Sequence, residues 1–273
     1  MPEKPEVITV SKSLETKILD RTIIDVDVYW DNIIAIPSSD EFIKRIKNQI
    51  IKKISTRGKF IVITLDKDTL LVHLRMEGKF FFRDEKSPIV KHEHVVFTFD
   101  NGEQMRFHDV RKFGKMYLIP TEEVYKVKPL VELGYEFDDE KLNGEYLYRK
   151  LNKKSLPIKT VLLDQSIITG IGNIYDDEIL FLSKISPYRK AKDITLGECE
   201  EIIKNTNYVL KHAIELGGTT IKSFTSSEGV HGRFQNELAI HGKKNSKCPE
   251  CGSDILVVKI GGRGTYYCDK CQK

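Results

Sequence analysis

No run in the 273-residue chain reaches 18 uninterrupted apolar residues. A membrane-spanning helix needs about 20 of them, so none is expected. The opening stretch, MPEKPEVITV, lacks a basic segment followed by an apolar one. A secretory leader is therefore not expected, and a cytoplasmic protein is. Internal repeats are missing, which excludes solenoids and arrays. Cysteine is scarce, at five residues, four of them in two pairs, and an unsecreted chain favours metal over disulfide for those four. Charge of one sign is also scarce. Lys and Arg number 44 against 40 Asp and Glu, a net +4. Residues 241–273 alone hold seven basic and three acidic residues, so residues 1–240 balance to zero. A basic module of this kind faces either a polyanion or plain solvent.

What is present is ordinary globular material, 40% apolar and 31% charged. The length implies two or more domains. Val7, Val10, Leu14 and Ile18 recur at helical spacing, predicting an amphipathic helix over residues 5–19. Strand patterns follow to about residue 120. Ile24, Val26 and Val28 alternate with polar neighbours, and Phe60–Leu65, Leu70–Leu74 and Phe80–Phe82 read as strands. His94–Phe99 and Gln104–Phe107 flank Asn101-Gly102, the signal for a type I′ hairpin. These imply a β-sandwich or barrel. Residues 121–145 carry eight acidic and three basic residues with Pro129 and Gly134, which reads as a linker. Helical spacing fills residues 145–216, interrupted by Thr169-Gly170-Ile171-Gly172-Asn173, where Asn173 is placed to cap the next helix. A polar loop runs from Thr219 to Arg233. Cys199 reads as an ordinary free thiol.

Cys248 and Cys251 are followed, after sixteen residues, by Cys268 and Cys271. Four thiolates at this spacing form a closed tetrahedral site with no open position, hence a structural metal. Zinc is the expected ion, and iron the other that accepts the set. Between the pairs, Gly261-Gly262-Arg263-Gly264 puts an arginine at a hairpin tip. Small neighbours would let its guanidinium approach phosphate. A solvated turn arginine is the other reading of the same residues. At the other end, removal of Met1 would expose the secondary amine of Pro2. An α-amino group has a pKa of about 8. Such an amine can attack a sugar C1′ and form an iminium, with Glu3 as proton donor or shuttle and Glu6 on the same turn. A proline here also serves simply to open a helix.

Together these segments resemble the formamidopyrimidine-DNA glycosylase family. MPEKPEVITV is similar to its MPELPEVET opening. RGKF at 57–60, HLRMEGKF at 73–80, DVRKFG at 109–114, LLDQSIITGIGNIYDDEIL at 162–180, GGTTIKSF at 217–224, FQNELAIHGK at 234–243 and the ending GGRGTYYCDKCQ follow in order. The resemblance implies an α+β multidomain fold. An N-terminal β-sandwich with its helix is expected over 1–134, a helix–two-turn–helix domain over 135–240, and a β-hairpin zinc finger over 241–273.

The resemblance also implies roles. The catalytic set would be Pro2 as nucleophile, Glu3 as general acid/base, Lys59 at a phosphate and in β-elimination, and Arg263. Met76, Arg111 and Phe113 would fill the gap left by an everted nucleotide, with Arg111 reading the opposite cytosine. His73, Asn173 and Arg263 would bind phosphates. Glu6, Glu77 and Thr219 would lie at the lesion pocket. The four cysteines would hold one zinc. The partner would be duplex DNA carrying oxidised purines or abasic sites, the enzyme a nucleoid-associated monomer without membrane attachment, and the strand would be cut by β,δ-elimination. Four positions depart from the pattern: Lys4 for leucine, Ile8 for glutamate, Val110 for proline and His241 for a tyrosine that touches phosphate. Two other readings are an endonuclease VIII-like enzyme for oxidised pyrimidines and a non-catalytic zinc-finger nucleic-acid-binding protein. The wide separation of Met76 from Arg111 and Phe113 disfavours the first. The intact Pro2-Glu3 pair and Lys59 disfavour the second.

Overall fold

A computed structural model describes residues 1–219 and 232–273. The chain divides into two compact units, residues 1–131 with 217–232, and residues 132–216 with 233–273. Among the described residues no helix is long and apolar enough to cross a membrane.

The first unit opens with α1 (Lys4–Ile18), whose first turn contains Pro5. A proline there needs no helical hydrogen bond, since first-turn N–H groups have no intrahelical partner. Val7, Val10, Leu14 and Ile18 are buried on one face, each contributing about 1.5–3 kcal/mol by leaving water. The strands that follow are β1 (Thr22–Val28), β2 (Ile34–Ile36), then α2 (Ser39–Ile46), then β3 (Gln49–Ile50), β4 (Lys53–Arg57), β5 (Phe60–Thr64), β6 (Asp68–His73), β7 (Lys79–Asp84), β8 (Glu93–Phe99), β9 (Glu103–His108) and β10 (Lys115–Pro120). They form two five-stranded sheets, ordered β3-β1-β8-β9-β7 and β2-β10-β6-β5-β4. Their inner faces share one apolar core with α1, built from Val26, Ile61, Val72, Phe97, Phe107 and their neighbours. This is a sandwich rather than a closed barrel.

Two expectations are corrected here. The pairing of β1 with β8 shifts register between Ile23 and Asp25. That bulge turns Ile23 into the core and leaves Ile24 45% exposed, breaking simple alternation. The β8–β9 hairpin exists, but its turn is not type I′. Only Gly102 has positive φ, and its N–H donates to the Phe99 carbonyl at 3.0 Å. This is a type I turn followed by a left-handed glycine, the three-residue alternative.

The second unit contains α3 (Gly144–Leu151), α4 (Ile158–Leu162), α5 (Asn173–Leu182), α6 (Leu196–Glu215) and the hairpin β11 (Leu256–Ile260) with β12 (Arg263–Tyr267). Thr195 and Glu198 form a capping box that starts α6. The helices bury one core that includes Ile158, Ile168, Tyr175, Ile202 and Leu210. Cys199 lies inside it, and burial pushes its thiol up to about 12. A free thiol it is, but an inert one. The hairpin docks through Ile255 and Cys268 against Phe181 of α5. Gln272, itself buried, donates to the Ile185 carbonyl at 2.9 Å.

Candidate active site and phosphate-binding groups

Pro2 and Glu3 are both buried. Glu3 is the N-cap of α1 in an extended conformation. Its N–H donates to Glu6 Oε2 at 2.9 Å. The other Glu6 oxygen accepts from the Thr219 N–H at 2.7 Å and the Thr219 hydroxyl at 3.1 Å. Glu6 thus ties the head of α1 to the stem of the GGTT segment. A glycine is required in that stem. Gly218 has φ +78, and a Cβ there would meet Glu6 Oε1 at 2.6 Å. Thr219 is described, whereas Thr220–Phe224 of the motif lie outside the described residues. The Lys4 departure is accommodated locally, since its ammonium donates to Thr56 on β4 at 3.0 Å.

Lys59 is 6% exposed at the tip of the β4–β5 hairpin. Gly58 supplies the positive φ, +54, that this two-residue turn needs at its first position. His73 ends β6 opposite Phe60, its ring edge-on to Phe60 with centroids 4.7 Å apart. The Arg75 N–H donates to His73 Nδ1 at 3.0 Å, which leaves the proton on Nε2. Burial, then the charges of Arg75 and Lys59, lower its pKa to about 3. His73 is therefore a neutral donor through Nε2–H, without the positive charge that a histidine expected at a phosphate would carry if protonated. In an unfolded chain the group takes up a proton below about pH 6.5. The native state resists until about 3. Its contribution to stability is thus complete above the unfolded value and is lost as pH falls from there toward the folded value. Denaturant midpoints measured from pH 7 to pH 4 should fall less steeply for His73→Gln than for the parent. Equal slopes would contradict this account.

Met76 lies far in sequence from Arg111 and Phe113, yet their loops rest on one ring. Gly78, closing the Met76 turn, would clash with Phe107 at 2.8 Å if it carried a Cβ, and Gly114 likewise at 2.5 Å. Only glycines let both turns settle there. Met76 and Glu77 are half-buried in their turn. Phe113 is 50% exposed, and the Arg111 guanidinium lies 4.9 Å from its ring. An exposed aromatic of this size on a fixed loop suits insertion between bases.

In the second unit, the N-cap of α5 is Gly172, with Asn173 already in the first turn. The capping role expected of Asn173 is corrected accordingly. Its side chain is drawn elsewhere, donating to the Gly264 carbonyl at 2.8 Å. This sets Asn173 beside Arg263, which is exposed at the start of β12. The intervening turn, Gly261-Gly262, has φ of +55 and +79, a type I′ pair. Beneath it lies a network not anticipated from sequence. Lys159 is fully buried, with Nζ 2.7 Å from Asp177, 3.4 Å from Asp176 and 3.1 Å from the Asn173 carbonyl. Asp177 also contacts His241 Nδ1 at 2.6 Å. Glu178 accepts the N–H groups of Ala239, Ile240 and His241. The expected helical stripe of α5 concealed these carboxylates, because charged residues on a helix ordinarily face solvent.

The four finger cysteines have their sulfurs within 4.8 Å of one another. The Cys248–Cys271 and Cys251–Cys268 pairs stand at 3.8 and 3.5 Å. Tetrahedral zinc at about 2.3 Å from each sulfur requires about 3.8 Å between sulfurs. The site fits one zinc ion, and its four protein ligands leave no position for substrate.

A β-sandwich with buried N-terminal proline and glutamate, joined to a helical unit bearing a four-cysteine finger, defines a zinc-finger DNA glycosylase architecture. Residues 1–116 match the formamidopyrimidine-DNA glycosylase N-terminal domain, residues 133–225 its H2TH domain, and residues 245–273 the zinc finger found in FPG and IleRS. The formamidopyrimidine-DNA glycosylase of Oceanobacillus iheyensis is 42% identical over 273 residues, covering 100% of this chain and 98% of that protein. A point mutant of the Lactococcus lactis FPG, in complex with Fapy-dG-containing DNA, superposes with a TM-score of 0.94 at 34% identity, over 100% of both chains. The Lactococcus lactis protein bound to abasic-site DNA gives 0.93 at 35% identity, over 99% of each. The chain belongs to the formamidopyrimidine-DNA glycosylase family.

Proposed function

We propose that this protein excises oxidised purines, chiefly 8-oxoguanine and formamidopyrimidines, from duplex DNA and then cuts the strand at the resulting abasic site. The observation that carries this reading is the N-terminal turn. Pro2 would present a secondary amine once Met1 is removed, next to the buried carboxyl of Glu3. The nitrogen lone pair forms a bond to C1′ as the bond from C1′ to the base breaks, the base taking up a proton as it leaves and the amine giving up its own. Glu3 supplies a proton as the sugar ring opens, which leaves an iminium. Loss of a proton from C2′ then expels the 3′ phosphate, and a second elimination the 5′ phosphate. Lys59, His73, Asn173 and Arg263 hold phosphates, while Met76, Arg111 and Phe113 occupy the space the flipped nucleotide leaves. Glu77 and Thr219 lie at the damaged base. Glu6 acts there through Thr219 and the Glu3 N–H rather than by touching the base. The zinc holds the finger that presents Arg263. The working form is a monomer on duplex DNA in the cytoplasm. Sequence boundaries near residues 134 and 240 separate its three functional parts.

The test separates reading from positioning, on four 8-oxoguanine duplexes that differ only in the opposite base. A base-edge contact discriminates by roughly 1–3 kcal/mol. Arg111→Ala should lower excision opposite cytosine and flatten the preference over adenine. Arg263→Ala should weaken binding about equally on all four and reduce the salt slope of log affinity by about one unit. Failure of the parent protein to excise 8-oxoguanine from any duplex overturns the function proposed. A changed base preference in Arg263→Ala alone reverses the two arginine roles.

A further inference from the structure

The loop that carries Arg111 and Phe113 is organised by a residue without an assigned role. Asp109 is completely buried, and every polar atom it has is engaged. Its N–H donates to the His92 carbonyl at 3.0 Å. Its carbonyl accepts from His94 Nε2 at 2.9 Å and from the Lys112 N–H at 3.2 Å. Its carboxylate spans the loop, Oδ1 accepting from the Arg111 N–H at 3.0 Å and Oδ2 from the Gly114 N–H at 2.7 Å. Those two donors bracket Lys112 and Phe113. Lys112 is held at φ +59, a left-handed conformation that a lysine keeps only where its surroundings impose it. Its ammonium sits 3.7 Å from the centre of the Trp30 ring. The loop is therefore fixed from inside by one carboxylate and from outside by one indole.

We infer that Asp109 is the positioning residue that sets Arg111 and Phe113 for reading the base opposite the lesion, an inference that rests on the reading role proposed for Arg111. A reader must have its backbone in place before DNA arrives, because a loop ordered only on binding discriminates weakly. Exposed side chains on an over-determined backbone meet that need. The same bonds explain why the aspartate is buried. Its two acceptors satisfy two loop N–H groups that no strand partner reaches.

Asp109→Asn keeps the side-chain volume but turns an NH2 group toward one of the two N–H donors. Excision opposite cytosine should fall on the order of 100-fold, as for a reacting or reading group displaced by an ångström. Excision opposite adenine should fall less, so the preference between them disappears. Trp30 is the single tryptophan of the chain, and its fluorescence should become more quenchable by acrylamide as Lys112 leaves the ring. Added to Arg111→Ala, the substitution should flatten the preference no further. A retained preference in Asp109→Asn, with Arg111→Ala flattening it, overturns the inference alone. A retained preference in Arg111→Ala overturns the reading role and the inference with it. Amide hydrogen exchange of the unsubstituted protein needs no folded variant. The Arg111 and Gly114 amides should be protected in the absence of DNA, and exchange at free-peptide rates at both overturns the proposal.

Discussion

Borohydride added during turnover of an 8-oxoguanine duplex should trap the DNA on Pro2. Reduction converts the iminium to a stable amine, and peptide mapping then reads the nitrogen that attacked. A trapped peptide at Lys59 would displace Pro2 as nucleophile. The chemistry suits Pro2 because an α-amino group with a pKa of about 8 keeps a useful neutral fraction at pH 7. Retention of Met1 acylates the proline nitrogen as a peptide bond, so intact mass must show its removal in active protein. Pro2→Gly should keep a primary amine and react more slowly. Glu3→Gln should cost base excision about 10²–10⁴-fold, the range of a positioned proton donor. It should cost cleavage of a ready-made abasic site less, where no base has to leave. Equal losses on the two substrates would remove Glu3 from the excision step.

Cys268→Ser should have the largest effect on the helical unit. Cys268 is fully buried, and its N–H donates to Gln272 Oε1 at 2.9 Å. Gln272 in turn fastens the finger to the Ile185 carbonyl. Structural zinc in such fingers contributes about 10–16 kcal/mol at pH 7, and three remaining ligands hold it far more weakly. The variant should purify without zinc, lose the β11–β12 hairpin and bind DNA weakly, since Arg263 then has no fixed place. Brief EDTA treatment of zinc-loaded enzyme should leave the chemistry unchanged, because the closed ligand set contributes no step. Immediate loss in chelator, restored by magnesium, would contradict a structural metal.

Most of the architecture was readable where local chemistry and tertiary context agree. The stripe of α1 and the finger spacing are of that kind, since one periodicity or one metal geometry decides them. The failures share a cause. Asn173 is a good capping residue, yet Gly172 takes that place because the Asn173 amide has a better partner in Gly264, distant in sequence. Ile24 fits a strand pattern that a bulge overrides. Asn101-Gly102 favours one turn, and the register of β8 on β9 selects another. Lys159 and Asp177 look like solvent-facing charges until the fold buries them together, with His241 half-buried against them. His73 is legible as a histidine within a strand, but its neutrality follows from burial that no spacing reveals.

The stem formed by Gly217, Gly218 and Gly232 has a consequence for how such proteins diversify. A Cβ on Gly232 would stand 2.2 Å from the Gly218 carbonyl oxygen, so the outgoing and returning chains touch backbone to backbone. When an excursion leaves and re-enters through one point, its length hardly alters the entropy of closing it, which grows only logarithmically with residue number. On closure entropy alone, changes of length between Thr219 and Gly232 cost the scaffold little, provided the glycine neck and the Glu6–Thr219 anchor stay. A segment exchanged between relatives at these two points should carry its own substrate range into a foreign framework.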